Sequence, residues 1–222
     1  MPAPQVPHAP PRLPHALALA ALDAELALLQ GRRSVRRFAT DAVPRVLIEQ
    51  ALRIAGTAPS GAHRQPWYFV AIADPAKKRA IRAAAEQEER EFYERRAPAE
   101  WLAALEPLGT DFEKTHLSDA PWLIVVFQKN QDVLPDGRVV KTYYAAESVG
   151  IAVGLLIAAL HRAGLATLTH TPAPMSFLRD MCGRPATERP YVILPVGYPA
   201  KDCTVPDLAR KGLDEIAEFV EA

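Results

Sequence analysis

The chain has 222 residues, with 26 basic and 26 acidic side chains and a formal net charge of zero. This balance argues against duplex nucleic acid as a partner, because proteins that bind the phosphate backbone carry an excess of Lys and Arg. Hydrophobic residues make up 49% of the sequence, which suits one soluble domain with a full core. The two cysteines have no CxxC spacing, so we expect neither a disulfide framework nor a zinc site, and a cytoplasmic location.

The first thirty residues are expected to be an N-terminal extension, and residues 31–222 the folded domain. Residues 1–14 are rich in proline, and the Ala/Leu stretch at 15–30 predicts an amphipathic helix that packs on this protein or on a second copy. A signal peptide would have a basic segment ahead of its apolar stretch, and none is found here. We therefore expect no membrane partner.

Further along, punctuating residues predict alternating helices and strands. Pro44 suits a first helical turn, and residues 46–55 carry apolar side chains at helical spacing before Gly56. Asp74-Pro75 predicts the start of a helix that reaches about Arg96. Two more helices are predicted at 141–162 and 213–220.

Three short apolar runs rich in β-branched or aromatic residues predict strands, at 67–72, 123–127 and 191–196. These strands are expected to form one central sheet, which gives a single domain of the α+β class with three layers. The longest uninterrupted apolar run, at 149–160, is too short to span a bilayer and predicts a core or subunit-interface helix.

Four arginines lie within six positions, at Arg32, Arg33, Arg36 and Arg37. Guanidinium groups suit a phosphate, because they offer permanently charged, bidentate donors. The alternative is a solvated basic turn. The chain has no GxGxxG and no GxxxxGK[ST] motif, so neither a dinucleotide-binding turn nor a P-loop explains the cluster.

A loop at residues 56–63, Gly-Thr-Ala-Pro-Ser-Gly-Ala-His, follows a predicted helix and precedes a predicted strand. Its two glycines and proline have small profiles that let backbone amides approach a flat ligand. The alternative is a tight turn without a ligand.

Three groups of residues carry a resemblance to a known family. They are Arg32-Arg-Ser-Val-Arg36, the loop 58–63 with Gln65-Pro-Trp67, and the segment 194–199 followed by 205–208 and Arg210-Lys211. From about Gly31 to its end, the sequence resembles the flavin-dependent nitroreductase superfamily and, within it, the iodotyrosine deiodinase family. The resemblance implies a nitroreductase-like three-layer fold with a central, mostly antiparallel sheet flanked by helices. It also implies an intertwined homodimer with two FMN sites, each built from both chains.

The resemblance also implies which residues hold FMN. The phosphate and ribityl chain would be bound by Arg32, Arg33, Ser34, Arg36 and Arg210; Pro59, Ser60 and Gly61 would line the flavin; Thr169, His170 and Thr171 would lie beside the isoalloxazine edge. The hydroxyl of Thr171 is the expected catalytic group, because the matching hydroxyl in the family donates to flavin N5 and such bonds tune the redox chemistry. The Ala62 backbone amide would face the substrate phenolate.

Three further residues match those that clasp a halotyrosine in the deiodinases: Glu89, Tyr93 and Lys114, in a lid at about 86–116. A carboxylate suits the substrate ammonium group, and a lysine and a phenol suit its carboxylate. Glu89 and Tyr93 are spaced i, i+4, so they would share one helix face. The alternative is a solvated surface, since Glu86-Arg90 and Glu91-Arg95 have the spacing of surface ion pairs.

The expected activity is FMN-dependent reductive dehalogenation of iodo-, bromo- or chlorotyrosine to tyrosine and halide, with an unidentified reductase or NAD(P)H as electron source. One alternative is an NAD(P)H-dependent FMN reductase of nitroaromatics or quinones. Another is a nonenzymatic protein that binds FMN or an aromatic amino acid, and a third is a scaffold that dimerises through residues 149–160. Metal catalysis is not expected, because the six histidines lack metal-ligand spacing.

Overall fold

The computed structural model describes residues 3–134 and 136–221. These residues divide into two compact units, one ending at Arg32 and the other beginning at Arg33. In the first unit, helix α1 covers His15–Gln30, as the sequence predicts. Its amphipathic character is not found. Apolar side chains are spread around the whole helix axis, and Leu17, Leu19 and Leu22 are exposed.

The second unit alternates helices and strands. The helices are α2 (Arg45–Ala55), α3 (Pro75–Glu91), α4 (Ala99–Leu105), α5 (His116–Asp119), α6 (Ala145–Arg162), α7 (Phe177–Met181) and α8 (Leu213–Ile216). The strands are β1 (Trp67–Ile72), β2 (Trp122–Lys129), β3 (Gln131–Val133), β4 (Val139–Lys141), β5 (Ala166–Thr167) and β6 (Glu188–Gly197). A turn of π-helix, Phe92–Arg96, extends α3 to the predicted end of that helix.

The start of α3 follows the capping chemistry that the sequence suggests. The Asp74 carboxylate accepts the backbone N–H of Ala76 at 2.8 Å, and Pro75 occupies the first turn, where a missing N–H costs nothing. This fixed start determines which residues reach the far end of the helix, where the candidate site lies.

The central sheet has the strand order β1-β2-β6-β5, and every pairing is antiparallel. Its side chains alternate between two buried clusters. Leu123 and Phe127 face a cluster formed with α3, α5 and α7, whereas Ile124 and Val126 face another formed with α2 and α6. The sheet is therefore covered by helices on both faces, and the predicted three-layer α+β class is confirmed.

Two predicted helix bounds are wrong. The long helix α6 begins at Ala145 rather than at Lys141, because Lys141 belongs to a β3–β4 hairpin and Tyr144 has a φ of 49°. The last helix ends at Ile216 rather than at Val220, because the backbone becomes extended at Ala217. Helix α6 is long and apolar enough to cross a membrane by length and composition alone. Six of its residues are buried in the protein, which accounts for that composition: Ser148, Val149, Ala152, Val153, Leu156 and Leu160.

Candidate active site

A cavity of about 590 Å³ lies at the end of α3, beneath the segment 92–115, which we call the lid segment. Its polar lining includes predicted residues from distant parts of the sequence. They are Ser34, Arg36, Glu89, Tyr93, Lys114, Thr169, His170 and Thr171. Apolar side chains from the lid segment complete the wall: Phe92, Trp101, Leu105 and Leu108.

The arginine segment reaches the cavity because its side chains alternate in direction. The backbone N–H of Val35 donates to the carbonyl of Thr167 at 3.1 Å, which ties the segment to the end of β5. Val35 is buried, while Ser34 and Arg36 on either side of it line the cavity. Arg37 faces elsewhere and pairs with exposed Asp202 at 2.7 Å. The arginine cluster is therefore divided between the cavity, which Arg36 lines, and the protein surface, where Arg37 lies.

Glu89 and Lys114 form an ion pair in the cavity wall. The Glu89 carboxylate lies 3.4 Å from the Lys114 Nζ, and their side chains are only 13% and 4% exposed. The same ammonium group lies 5.4 Å from the centre of the Tyr93 ring. The fold of the lid segment thus brings together three side chains that are able to bind both charges of an amino acid.

Neighbouring groups hold Lys114 in place. Its backbone N–H donates to the Glu86 carboxylate at 2.7 Å, and its ammonium group donates to the Thr110 hydroxyl at 3.2 Å and to the Asp111 carbonyl. The Tyr93 hydroxyl donates to the Thr110 carbonyl at 3.2 Å. The contacts of Lys114 with Glu86 and of Tyr93 with Thr110 therefore join the end of α3 to the segment before α5.

The surface ion pairs that would make α3 a solvated helix, the alternative to the lid assignment, are found only in part. Glu91 does pair with Arg95, at 3.3 Å, on an exposed part of the helix. Glu86 pairs instead with Arg82, at 2.7 Å, and turns toward Lys114. One face of this helix is thus a solvated surface, while the other belongs to the cavity wall.

Burial changes the acidity of the ion pair. It raises the pKa of Glu89 and lowers the pKa of Lys114, and in each case the opposite charge of the partner works against the shift. Burial also raises the pKa of Tyr93. Removing these charges from water has a free-energy cost, so a polar ligand that satisfies them gains more here than it would at an exposed site.

The segment after β5 contributes side chains from an extended backbone. His170 exchanges two backbone hydrogen bonds with Ile193, each of 2.9 Å, and its side chain is buried. Thr169 and Thr171, on either side of it, are exposed. The two threonine hydroxyls therefore remain accessible to a ligand, while the imidazole points inward.

The loop predicted to line a flavin is positioned on α6. The backbone N–H of Gly61 donates to the Ser148 hydroxyl at 3.4 Å, and a Cβ at Gly61 would lie 2.5 Å from the Tyr143 carbonyl oxygen. Ala62 and His63 have φ values of 49° and 54°, in the left-handed region that side chains disfavour. The packing around this glycine thus holds an unusual backbone shape.

This loop is not part of the cavity lining within the described residues. The cavity lining does not include the loop residues Pro59, Ser60, Gly61 and Ala62. It also does not include Arg33 and Arg210, although both belong to the same unit as the cavity. Arg32 is the last residue of the first unit. The predicted binding roles of these residues stay predictions.

Sequence reasoning overlooked His116 and the aromatic side chains Phe92 and Trp101, all of which line the cavity. His116 and His170 have their rings 5.3 Å apart in an edge-to-face arrangement, although they are far apart in the sequence. Trp101 packs edge-on against Phe92, with ring centres 5.4 Å apart. No local motif marks His116, Phe92 or Trp101, because only the packing of the folded chain brings them to the cavity.

The family of the chain follows from both its sequence and this fold. Residues 29–198 match the model of the nitroreductase family. A nitroreductase with bound FMN from Bacteroides fragilis has the same fold, with a TM-score of 0.65 at 21% identity over 89% of this chain and 98% of that one. The chain therefore belongs to the nitroreductase family.

Within this family, the named relatives are iodotyrosine deiodinases. The sequence is 57% identical to the iodotyrosine deiodinase of Haliscomenobacter hydrossis over 180 residues, which is 81% of each chain. It is 47% identical to iodotyrosine deiodinase 1 of Mus musculus, over 85% of this chain and 67% of the mouse protein. A crystal structure of oxidized iodotyrosine deiodinase bound to FMN and 3-iodo-L-tyrosine matches with a TM-score of 0.74 and 31% identity, over 88% of this chain and all of that one.

Proposed function

We propose that this protein is an FMN-dependent reductive dehalogenase that converts 3-halotyrosines to tyrosine and halide. In this reaction two electrons and one proton replace the carbon–halogen bond with a carbon–hydrogen bond, and the halogen leaves as halide. The similarity to iodotyrosine deiodinases over most of the chain supports the proposal. The cavity supplies an independent argument from the chemistry of its walls.

The observation that carries the proposal is the Glu89–Lys114 pair in the same cavity as Arg36 and Thr171. A halotyrosine brings an ammonium and a carboxylate group, which can exchange partners with this ion pair so that each charge stays matched. The Tyr93 ring lies beside the Lys114 ammonium group, and its hydroxyl can donate to the substrate carboxylate. A nitroaromatic or a quinone has no zwitterion and would leave this pair unused.

The residues of the cavity fit FMN. Ser34 and Arg36 place a hydroxyl and a guanidinium in the cavity wall, which suits a phosphate. The exposed Thr169 and Thr171 hydroxyls suit polar atoms of the cofactor. When bound and reduced, FMN supplies the electrons for the cleavage. The Thr171 hydroxyl would donate to the flavin ring and so act as the catalytic group of this chain.

The lid segment contributes binding and the exclusion of water. Phe92, Trp101 and Leu105 line the apolar wall and can cover the halogenated ring, while Glu89 and Lys114 hold the amino acid end. Excluding water strengthens every polar contact inside the cavity. Binding of the zwitterion and closure of the site are thereby coupled.

We also propose that the complete site needs two copies of the chain. The loop 59–62 is held on α6, away from the cavity lining, yet the resemblance assigns it to the flavin and, through the Ala62 amide, to the substrate phenolate. The loop of a second copy can meet the cavity in a symmetric homodimer, since each interface is then used twice. Exposed Ile151 on α6 supports a partner at this face.

The electron source is proposed to be NAD(P)H or a separate reductase, and the proposed location is the cytoplasm. Both cysteines, Cys182 and Cys203, are free thiols, as suits a reducing compartment.

The proposal is tested by incubating the FMN-loaded protein anaerobically with dithionite and 3-iodotyrosine, and assaying iodide and tyrosine. Equal amounts of both products are expected, and a reaction without protein serves as the control. Reduction of nitroaromatics by NAD(P)H without iodide release would support a general reductase instead. Tight binding of FMN and tyrosine with neither reaction would support a nonenzymatic binding protein.

A further inference from the structure

The His170 side chain lines the cavity, and it is buried between two exposed threonines. It is 7% exposed, whereas Thr169 and Thr171 are exposed. The two backbone hydrogen bonds with Ile193 fix this orientation. The position of the imidazole is therefore determined by the sheet rather than by the lid segment.

The Nε2 atom of His170 faces the Glu89 carboxylate at 3.8 Å. It is buried and has no hydrogen-bond partner among residues 3–134 and 136–221, and the same holds for Nε2 of His116. Buried polar atoms nearly always have a partner, so one without a partner beside a charged group calls for an explanation. A small rotation of either side chain would bring Nε2 of His170 within hydrogen-bonding distance of Glu89.

The charge state of the imidazole determines what it is able to offer. Burial and the nearby positive charges of His116 (when protonated), Lys114 and Arg36 lower the pKa of His170 to about 3, so the ring is neutral near pH 7. A neutral imidazole has one N–H group and one lone pair. The tautomer with the proton on Nε2 is favoured here, because a lone pair facing a carboxylate would be repelled.

We propose that His170 is a positioning residue that donates a hydrogen bond from Nε2 to Glu89 and so orients this carboxylate for the substrate ammonium group. This inference rests on the proposed function, in which the cavity binds an amino acid zwitterion. When the substrate carboxylate takes over Lys114, Glu89 loses its nearest cation. His170 is then the side chain that keeps the Glu89 carboxylate in place.

The test compares two substitutions of similar size in the FMN-loaded protein. His170→Phe fills the space without a donor, whereas His170→Gln keeps an N–H group near the position of Nε2. Binding of 3-fluorotyrosine and of 2-fluorophenol is measured by quenching of flavin fluorescence, because fluorophenol lacks the ammonium group. Neither measurement depends on turnover.

We expect His170→Phe to weaken fluorotyrosine binding about tenfold, since a hydrogen bond to a charged group is lost, and to change fluorophenol binding less than about twofold. His170→Gln should retain most of the fluorotyrosine affinity. Equal losses for both ligands in His170→Phe would overturn the inference in favour of a structural or flavin-binding role. No loss, or an equal loss in His170→Gln, would also overturn it.

The wild-type protein separates this inference from the proposed function. If it bound fluorotyrosine no better than fluorophenol, zwitterion recognition itself would fail. If it preferred fluorotyrosine but His170→Phe kept that preference, only the role of His170 would fail. Should His170→Phe lose FMN, His170→Met takes its place as the variant without a donor.

Discussion

The carboxylate of Glu89, at the end of α3, lies 3.4 Å from the ammonium group of Lys114, just before α5. Their side chains are 13% and 4% exposed, so this pair resembles a buried salt bridge more than a surface one. Buried pairs contribute little to stability compared with apolar residues of the same size, because both charges lose their hydration. The Glu89–Lys114 pair lies in a cavity wall, which favours a binding role in which a ligand with both charges satisfies the pair.

Replacing Glu89 with Gln should weaken halotyrosine binding far more than FMN binding. The substitution leaves Lys114 with a neutral neighbour and removes the proposed partner of the substrate ammonium group. We expect a loss of roughly thirtyfold or more, corresponding to about 2 kcal/mol for a charged hydrogen bond. Flavin fluorescence measures both affinities in the same samples.

Glu91→Gln is the matched control for this experiment, because Glu91 lies on the same helix and pairs with exposed Arg95 at 3.3 Å. A surface pair of this kind contributes little, so neither affinity should change. Parallel loss of FMN and halotyrosine affinity in Glu89→Gln would argue against the lid assignment.

Replacing Arg36 with Ala should weaken FMN binding, whereas Arg37→Ala should not. Arg36 lines the cavity, while Arg37 pairs with Asp202 on the surface at 2.7 Å. A lost guanidinium–phosphate contact is expected to raise the FMN dissociation constant at least about tenfold. Equilibrium dialysis with FMN measures both variants. Equal effects of the two substitutions would mean that the phosphate is bound elsewhere.

The regular part of the fold could be predicted from local sequence patterns. β2 and β6 have runs of β-branched residues that are buried on both faces, and the start of α3 is marked by Asp74-Pro75. The β3–β4 hairpin was missed, although Asp136-Gly137 is a turn signal, because its strands have only three residues each. The last helix was predicted too long. Its apolar residues Ile216 and Phe219 are exposed, and such a short helix is not stable without packing.

The candidate site could be predicted only where residue types match a known pattern. Glu89, Tyr93 and Lys114 were named from a resemblance, and their meeting depends on how the lid segment folds back onto α3. The contact between His116 and His170 has no counterpart in sequence spacing, because it joins α5 to an extended segment across the cavity floor. Long-range contacts of this kind arise from the packing of the layers.

The two buried histidines should make the protein less stable in mild acid. Burial lowers the pKa of both His116 and His170 to about 3, below the ordinary value of 6.5. Between these pH values the unfolded chain binds more protons, so stability is greatest above about pH 6.5 and falls as the pH decreases toward 3. Each histidine should account for roughly 2 kcal/mol of the decrease in unfolding free energy between pH 7 and pH 5.

Urea unfolding of the FMN-loaded protein at pH 7 and pH 5 measures this decrease. Because the pKa of Glu89 is raised, its protonation acts in the opposite direction, and the comparison therefore needs variants. The double variant His116→Phe/His170→Phe should lose most of the pH dependence, whereas the substitution of exposed His63 by Asn should keep it. An unchanged dependence in the double variant would assign the effect to other groups.

At a halotyrosine concentration too low to saturate either variant, a mixture of two impaired variants should recover activity if each site uses both chains. Glu89→Gln changes the cavity wall, and Gly61→Ala changes the loop on α6, because a Cβ there would lie 2.5 Å from the Tyr143 carbonyl oxygen. In a mixed dimer of these variants, one site contains both changes and the other contains neither. Random mixing of equal amounts should therefore give about a quarter of the wild-type activity, since half of the dimers are mixed and half of their sites are intact.

If both elements acted within one chain, every site would contain one change and mixing would restore nothing. Iodide release after unfolding and refolding the variants together distinguishes these outcomes, and each variant refolded alone provides the baseline.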